Sequence, residues 1–248
     1  MERELNALIE GVGPLDARAM QTARDRQDQL TKPRGAMGLL EGLSVQMAGV
    51  QGRSRPVVKD KVIFTLAGDH GVAREGVSAY PAEVTPQMVF NFLAGGAGIN
   101  VMARQVGARV VVADMGVDHD FDPDRGPVDM KVARGTDNMI LGPAMSRENA
   151  IRSILAGAAL VEAEAGAGLD AIGTGDMGIG NTTPSSAITA VMTGRPVREV
   201  TGRGTGLDDR GLEAKVALIE KALAVNRPNP ADPLDILAKV GGFEIGGI

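Results

Sequence analysis

Three short apolar, β-branched runs stand out along the chain. Lys61–Ala67 reads KVIFTLA, Arg109–Met115 reads RVVVADM, and Leu169–Ile172 completes the set. Near-continuous apolar runs of this length suit strands buried on both faces, as in a parallel sheet. Between them lie stretches with helical periodicity: Val84–Leu93, then Ile99–Val106 after a glycine break at Gly95, Gly96 and Gly98. A third helix is expected from the cap Ser146 to about Ala165, with Glu148 in its first turn. The βαβαβ alternation predicts an α/β fold, with a mostly parallel sheet flanked by helices in a Rossmann-like three-layer arrangement.

Upstream, Pro14–Leu30 and Leu39–Val50 read as helices separated by the breaker Thr31-Lys32-Pro33-Arg34-Gly35, with no strand nearby. They predict a small helical subdomain over residues 1–56, ahead of an α/β domain over 57–248; the alternative is a helical layer on the main sheet. Downstream, Ser185–Met192 and Gly211–Val225 read as helices and Val197–Val200 as a short strand. A turn-rich link, Arg227–Pro233, precedes a helix at Leu234–Val240. The segment Gly241–Ile248, GGFEIGGI, is of the kind that leads into another element, so the sequence reads as one that stops short.

The stretch with most chemical content is Gly173–Pro184, GTGDMGIGNTTP. Strand, glycine turn and helix start form the layout of an anion site, where bare N–H groups and the helix dipole favour negative charge. Thr183 is the expected N-cap and Pro184 the expected first helical residue. The plain alternative is a tight βα turn that needs glycine for positive φ. A second glycine turn, Thr201–Gly206 (TGRGTG), contains Arg203, and Lys215 follows on the next helix. Both cations suit a phosphate or carboxylate, and both also suit an ordinary surface. Asp176 would repel a phosphate, which assigns it to sugar hydroxyls or to a proton.

Gly173-x-Gly175-x-x-Gly178, with Glu199 about 20 residues on, also matches the dinucleotide fingerprint and keeps a Rossmann oxidoreductase as a rival. Asn181-Thr182-Thr183-Pro184 delays the helix start and weighs against it. Asp69 and His70 follow the first strand and form either an acid/base pair or a structural pair closing the βα turn. His119, among Asp118, Asp120, Asp122 and Asp124, reads as part of a solvated acidic loop rather than a cation site.

Composition narrows the classes. The chain has 248 residues, 44% apolar and 23% charged, which is globular and long enough for a substantial core. No cysteine is present, which excludes disulfides, thiolate zinc sites and a thiol nucleophile, and fits a reducing cytoplasm. Two histidines cannot make a multi-histidine metal centre, and no metal or cofactor is expected. The net charge of −5, with no Trp and one Tyr, provides neither a basic footprint nor stacking platforms for nucleic acid. No segment reads as a signal peptide or a membrane span.

Three motifs in order, DHGV, GIGNTT and GRGTGLDD, together with EGVSAYPAEVTPQMVFNFLAGGAGINVMARQVGA, resemble the nicotinate-nucleotide–dimethylbenzimidazole phosphoribosyltransferase family of cobalamin assembly. The likeness runs from about Lys32 to Ile248 and implies phosphoribosyl transfer from nicotinate mononucleotide to 5,6-dimethylbenzimidazole or a related azole. It implies that Gly175, Gly178, Ile179, Gly180, Asn181, Thr182 and Thr183, with Gly202, Arg203, Gly204, Thr205, Gly206 and Lys215, hold the nucleotide. Tyr80, Gln87 and Met88 would lie at the azole. Asp176 falls where the family usually has Glu. The family's principal base, a Glu in a C-terminal glycine-rich segment, has no match here, because the sequence ends before that segment; Glu244 belongs to an earlier motif and does not stand in for it. The resemblance also implies a homodimer. A nucleotide-binding remnant without turnover is the non-enzymatic alternative.

Overall fold

The structure, a computed structural model, describes residues 1–248. Four strands form the sheet: β1 (Lys61–Gly68), β2 (Ala108–Gly116), β3 (Val128–Asp129) and β4 (Ala171–Met177). Their order is β3-β2-β1-β4, and every pairing is parallel. In β1 the apolar run predicted from sequence buries both faces. Val62, Phe64 and Leu66 face one core with Ala113 and Met115, while Ala67 faces the other with Val112. The expected α/β class is what forms.

Helices α4 (Val84–Leu93) and α5 (Gly98–Val106) cover the Ala67 face through Val89, Phe92 and Ile99. The opposite face carries α6 (Arg147–Ala165), α10 (Pro233–Val240) and α11 (Phe243–Gly247), through Ala150, Leu160, Ala238 and Phe243. Ser146 caps α6 as its hydroxyl accepts from Asn149 N–H at 3.1 Å. A third apolar cluster joins α7 (Thr182–Thr193), α8 (Val197–Val200) and α9 (Asp209–Asn226) to α10. The sheet and its helices make one compact unit, Met1–Leu5 with Asp60–Ile248.

Residues Asn6–Lys59 form a second compact unit. Within it, α2 (Ala17–Gln29) and α3 (Leu39–Gln51) pack through Met20, Ala23, Val45 and Ala48. A Cβ on Gly49 would lie 2.7 Å from the Met20 thioether, so glycine sets this close crossing. The N-terminal helix α1 (Glu2–Glu10), absent from the sequence expectation, precedes them. No helix of the chain is long and apolar enough to cross a membrane.

Four expectations need correction. Val197–Val200 is the helical turn α8, not a strand: Val197 is buried in the α7–α9 cluster, and the Thr201 hydroxyl donates back to its carbonyl at 2.7 Å. The third strand is Ala171–Met177 rather than Leu169–Ile172, and Leu169 packs with the core instead. Gly173 and Gly175 therefore lie in the strand, opposite Ile63 and Thr65. A Cβ on Gly173 would stand 3.3 Å from Ile63, so close approach, not turn geometry, asks for glycine there. Helix α7 also begins earlier than expected, with Asn181 at the N-cap and Thr183 and Pro184 inside the first turn. Proline is tolerated there because first-turn N–H groups have no intrahelical acceptor.

Candidate active site

The strand order turns back at β1, which has β2 on one side and β4 on the other. In open parallel sheets the crevice at the carboxyl ends of such strands presents the ligand site. Residues Gly178–Asn181 carry the chain from β4 into α7 at this point. A Cβ on Gly178 would collide with the Gly68 carbonyl oxygen, and Gly180 sits at φ +89°, so neither position accepts a side chain without strain. Ile179 donates its N–H to Thr85 Oγ1 at 3.1 Å, which ties the loop to α4. The fingerprint G-x-G-x-x-G is thus split: its first two glycines are strand and only Gly178 is loop. A dinucleotide-binding turn needs all three around one bend, so the oxidoreductase rival loses its motif.

Helix α9 brings Lys215 beneath this loop. The side chain is completely buried, and its ammonium donates to Thr182 Oγ1 at the start of α7. No carboxylate answers the charge, and burial alone pulls the ammonium below the usual lysine value. The exposed second glycine turn crosses the same spot. Gly204, at φ +53°, is positioned so that a Cβ would lie 3.0 Å from Thr182 Oγ1 and 3.4 Å from Lys215 Nζ. Thr205 Oγ1 is 3.1 Å from Ser78 Oγ, which also accepts from Tyr80 N–H at 3.3 Å. Two glycine turns, a helix N-terminus, a buried cation and the segment before α4 therefore meet in one place, and a small anion satisfies what they leave unmet.

The remaining expected residues fall around this centre. Asp176 leaves the end of β4 with its carboxylate accepting from the Asn181 amide. Its pKa is raised, first by lost hydration and then by the Glu244 charge, and lowered in part by Asn181 and His70. Met88, half-buried, packs against the same cluster as Met177, while Gln87 and Tyr80 are exposed. Arg203 is committed elsewhere: its guanidinium binds Asp209 and donates to Leu207 O at 3.0 Å within its own turn. Gly202 and Gly206 complete that turn in the open.

Asp69 and His70 do not form an acid/base couple. Asp69 closes the turn after β1, accepting from Asp118 N–H at 2.8 Å, and burial raises its pKa. His70 turns instead to Glu244, with Nε2 2.8 Å from Oε1 and both side chains out of solvent. His119 meets the rings of Phe90 and Phe121 edge to face, and Asp120 is bound by Arg134. Glu244, set aside in the sequence as part of an earlier motif, was given no role there. Its signal was a lone carboxylate inside the apolar run GGFEIGGI, a placement that demands a buried partner.

Fold and site define an open parallel α/β protein with an anion cradle at its switch point. A family model described as phosphoribosyltransferase matches residues 12–248. The nicotinate-nucleotide–dimethylbenzimidazole phosphoribosyltransferase of Desulforudis audaxviator is 60% identical over 98% of this chain, and that of a Roseiflexus species is 56% identical over the same share. Each match covers 69% of the relative's length. The crystal structure of CobT from Thermus thermophilus superposes with a TM-score of 0.87 at 44% identity, over 93% of this chain and 69% of that one. The chain belongs to the nicotinate-nucleotide–dimethylbenzimidazole phosphoribosyltransferase family.

Proposed function

We propose that this chain transfers the phosphoribosyl group of nicotinate mononucleotide to 5,6-dimethylbenzimidazole or a related azole, giving α-ribazole 5′-phosphate and nicotinate in cobalamin biosynthesis. The observation that carries the reading is Lys215, a buried ammonium with no carboxylate, set under two glycine turns. A phosphate supplies the missing charge, and the Gly178–Thr183 turn supplies N–H donors at a helix start. The azole nitrogen attacks the anomeric carbon as the bond to the pyridinium breaks. The bonding pair neutralises the pyridinium nitrogen, nicotinate leaves, and the azole N–H proton goes to a base. Direct displacement turns the β-nucleotide into an α-product.

Asp176 is the base within this chain. Its raised pKa makes this carboxylate a stronger base than an ordinary aspartate. Tyr80, Gln87 and Met88 line the azole side, and a cytoplasmic location goes with this chemistry. We also read the protein as a homodimer, supported by Leu39, Leu40, Leu43 and Val50 of the helical unit, each more than half exposed; sedimentation velocity tests it, and a monomer at all concentrations contradicts it. The activity is tested by incubating the chain with nicotinate mononucleotide and dimethylbenzimidazole and following both products by mass spectrometry. Matched formation of α-ribazole phosphate and nicotinate supports the transfer. Nucleotide binding without product replaces it with the binding-only alternative.

A further inference from the structure

Behind the nucleotide loop lies a sealed polar chamber that the proposed reaction does not use. The His70 side chain is 1% exposed and that of Glu244 not at all. Their Nε2 and Oε1 atoms are 2.8 Å apart, but the approach is out of line for a hydrogen bond, and both nitrogens and both oxygens lack an aligned partner. An uncompensated buried carboxylate beside a neutral imidazole would be costly; an imidazolium answers it by charge.

Three glycines from three segments form the walls. A Cβ on Gly68, at the end of β1, would lie 2.7 Å from Glu244 Oε2. One on Gly242, before α11, would lie 2.5 Å from His70 Cε1, and one on Gly178 would lie 3.1 Å from His70 Nε2. The imidazole thus rests directly on the glycine that opens the nucleotide loop. Asp69 from its own strand end, Asp176 from β4 and Glu244 from α11 all raise its pKa, against the burial that lowers it. On its other side His70 borders a cavity of about 260 Å³ that also holds Arg74, Glu83, Asp118, His119 and Arg134.

We propose that Glu244 and His70 are a positioning ion pair for the nucleotide loop: Glu244 holds His70 as an imidazolium whose charge lies against Gly178 and beside Asp176. The pair lets an anionic nucleotide and the Asp176 carboxylate share one loop without an unbalanced excess of negative charge. This inference rests on the phosphoribosyl-transfer reading, and it adds two residues that touch neither substrate.

The test uses the fact that the chain has only two histidines. A His119→Gln variant assigns the His70 ring signal in proton NMR, which is followed from about pH 5 to about pH 9. His70 is expected to titrate above the ordinary 6.5 in the unliganded chain and higher still with saturating nicotinate mononucleotide. Glu244→Gln is expected to drop it below 6.5 and to weaken nucleotide binding about tenfold at neutral pH, a typical coupling between linked sites. The double variant His70→Asn/Glu244→Gln is expected to bind the nucleotide no more tightly than Glu244→Gln, because the imidazolium charge is already lost in the single variant; binding restored to the parent's level in the double variant overturns the inference.

An imidazole already neutral at pH 6.5 in the unsubstituted chain overturns the inference, even should Glu244→Gln fail to fold. A nucleotide affinity unchanged by Glu244→Gln, with the unsubstituted chain binding normally, overturns this inference alone. No nucleotide binding by the unsubstituted chain overturns the functional reading and, with it, the role given to the pair.

Discussion

Replacing Lys215 by methionine separates what the residue does for the fold from what it does for the ligand. The ammonium is wholly buried, donates one hydrogen bond to Thr182 Oγ1 and has no carboxylate partner. Methionine keeps most of the stem and removes the charge. A hydrogen bond to a charged group is worth about 1.5–3 kcal/mol, so losing it against the phosphate weakens nicotinate mononucleotide by roughly 10- to 150-fold. The unliganded protein responds in the opposite sense. Replacing buried charge by an apolar side chain of similar volume is commonly neutral or stabilising by about 1–4 kcal/mol. At about 2–4 °C per kcal/mol for a chain of this size, Tm stays level or rises by up to roughly 15 °C. The pH dependence follows from the lowered lysine pKa. The unfolded chain holds this proton more tightly, so the native protein gains stability as pH rises toward 10.5, and Lys215→Met removes that gain. Calorimetric titration and thermal melts read both effects. Undiminished nucleotide affinity, or a variant that melts well below the parent, would refute the assignment of Lys215 to the anion.

Asp176→Asn is expected to lower kcat by about 10²- to 10⁴-fold without weakening nucleotide binding, since a negative charge beside the anion is removed, measured by product formation and calorimetry. Gly178→Ala drives a Cβ into the Gly68 carbonyl and toward His70, so it should both destabilise the protein in urea by about 1–3 kcal/mol and weaken nucleotide binding. Gly157→Ala tests the crossing of α6 and α11, where a Cβ would overlap the Gly247 carbonyl; it should cost a similar amount of stability in urea. His70, held above 6.5 chiefly by Glu244 against the effect of burial, contributes stability that is full below pH 6.5 and lost as pH rises through its folded value. Urea midpoints should fall over that window in the parent and stay flat in Glu244→Gln. Asp69 and Asp114, raised by burial, act in the same sense in a lower window that begins at 3.8.

The elements legible in the sequence are those that carry their own reason to form. The runs at Lys61 and Arg109 are buried on both faces, and Ser146 supplies a cap that depends only on its neighbours. The elements that escaped depend on distant partners. Gly173 and Gly175 look like turn residues until Ile63 is set over one of them. Four residues, VREV, fit a strand or a helical turn equally, and the cluster with α9 decides. Helix α11 exists because Gly157 gives it room against α6, and nothing within GGFEIGGI reports that. In the site, glycine spacing pointed to the anion loop, and Lys215 was noticed, but its burial without a counter-ion is a tertiary fact. The commitment of Arg203 to Asp209 and the meeting of His70 with Glu244 depend likewise on side chains that the sequence does not place together.

On this reading the two glycine turns and Lys215 hold the 5′-phosphate of a pyridine nucleotide. The most direct measurement compares nicotinate mononucleotide with nicotinate riboside, which lacks only the phosphate, by calorimetric titration of the same preparation. Saturable binding of the nucleotide, with the riboside weaker by at least about tenfold, is the predicted result. Equal affinities for the two, or binding of neither, would contradict it.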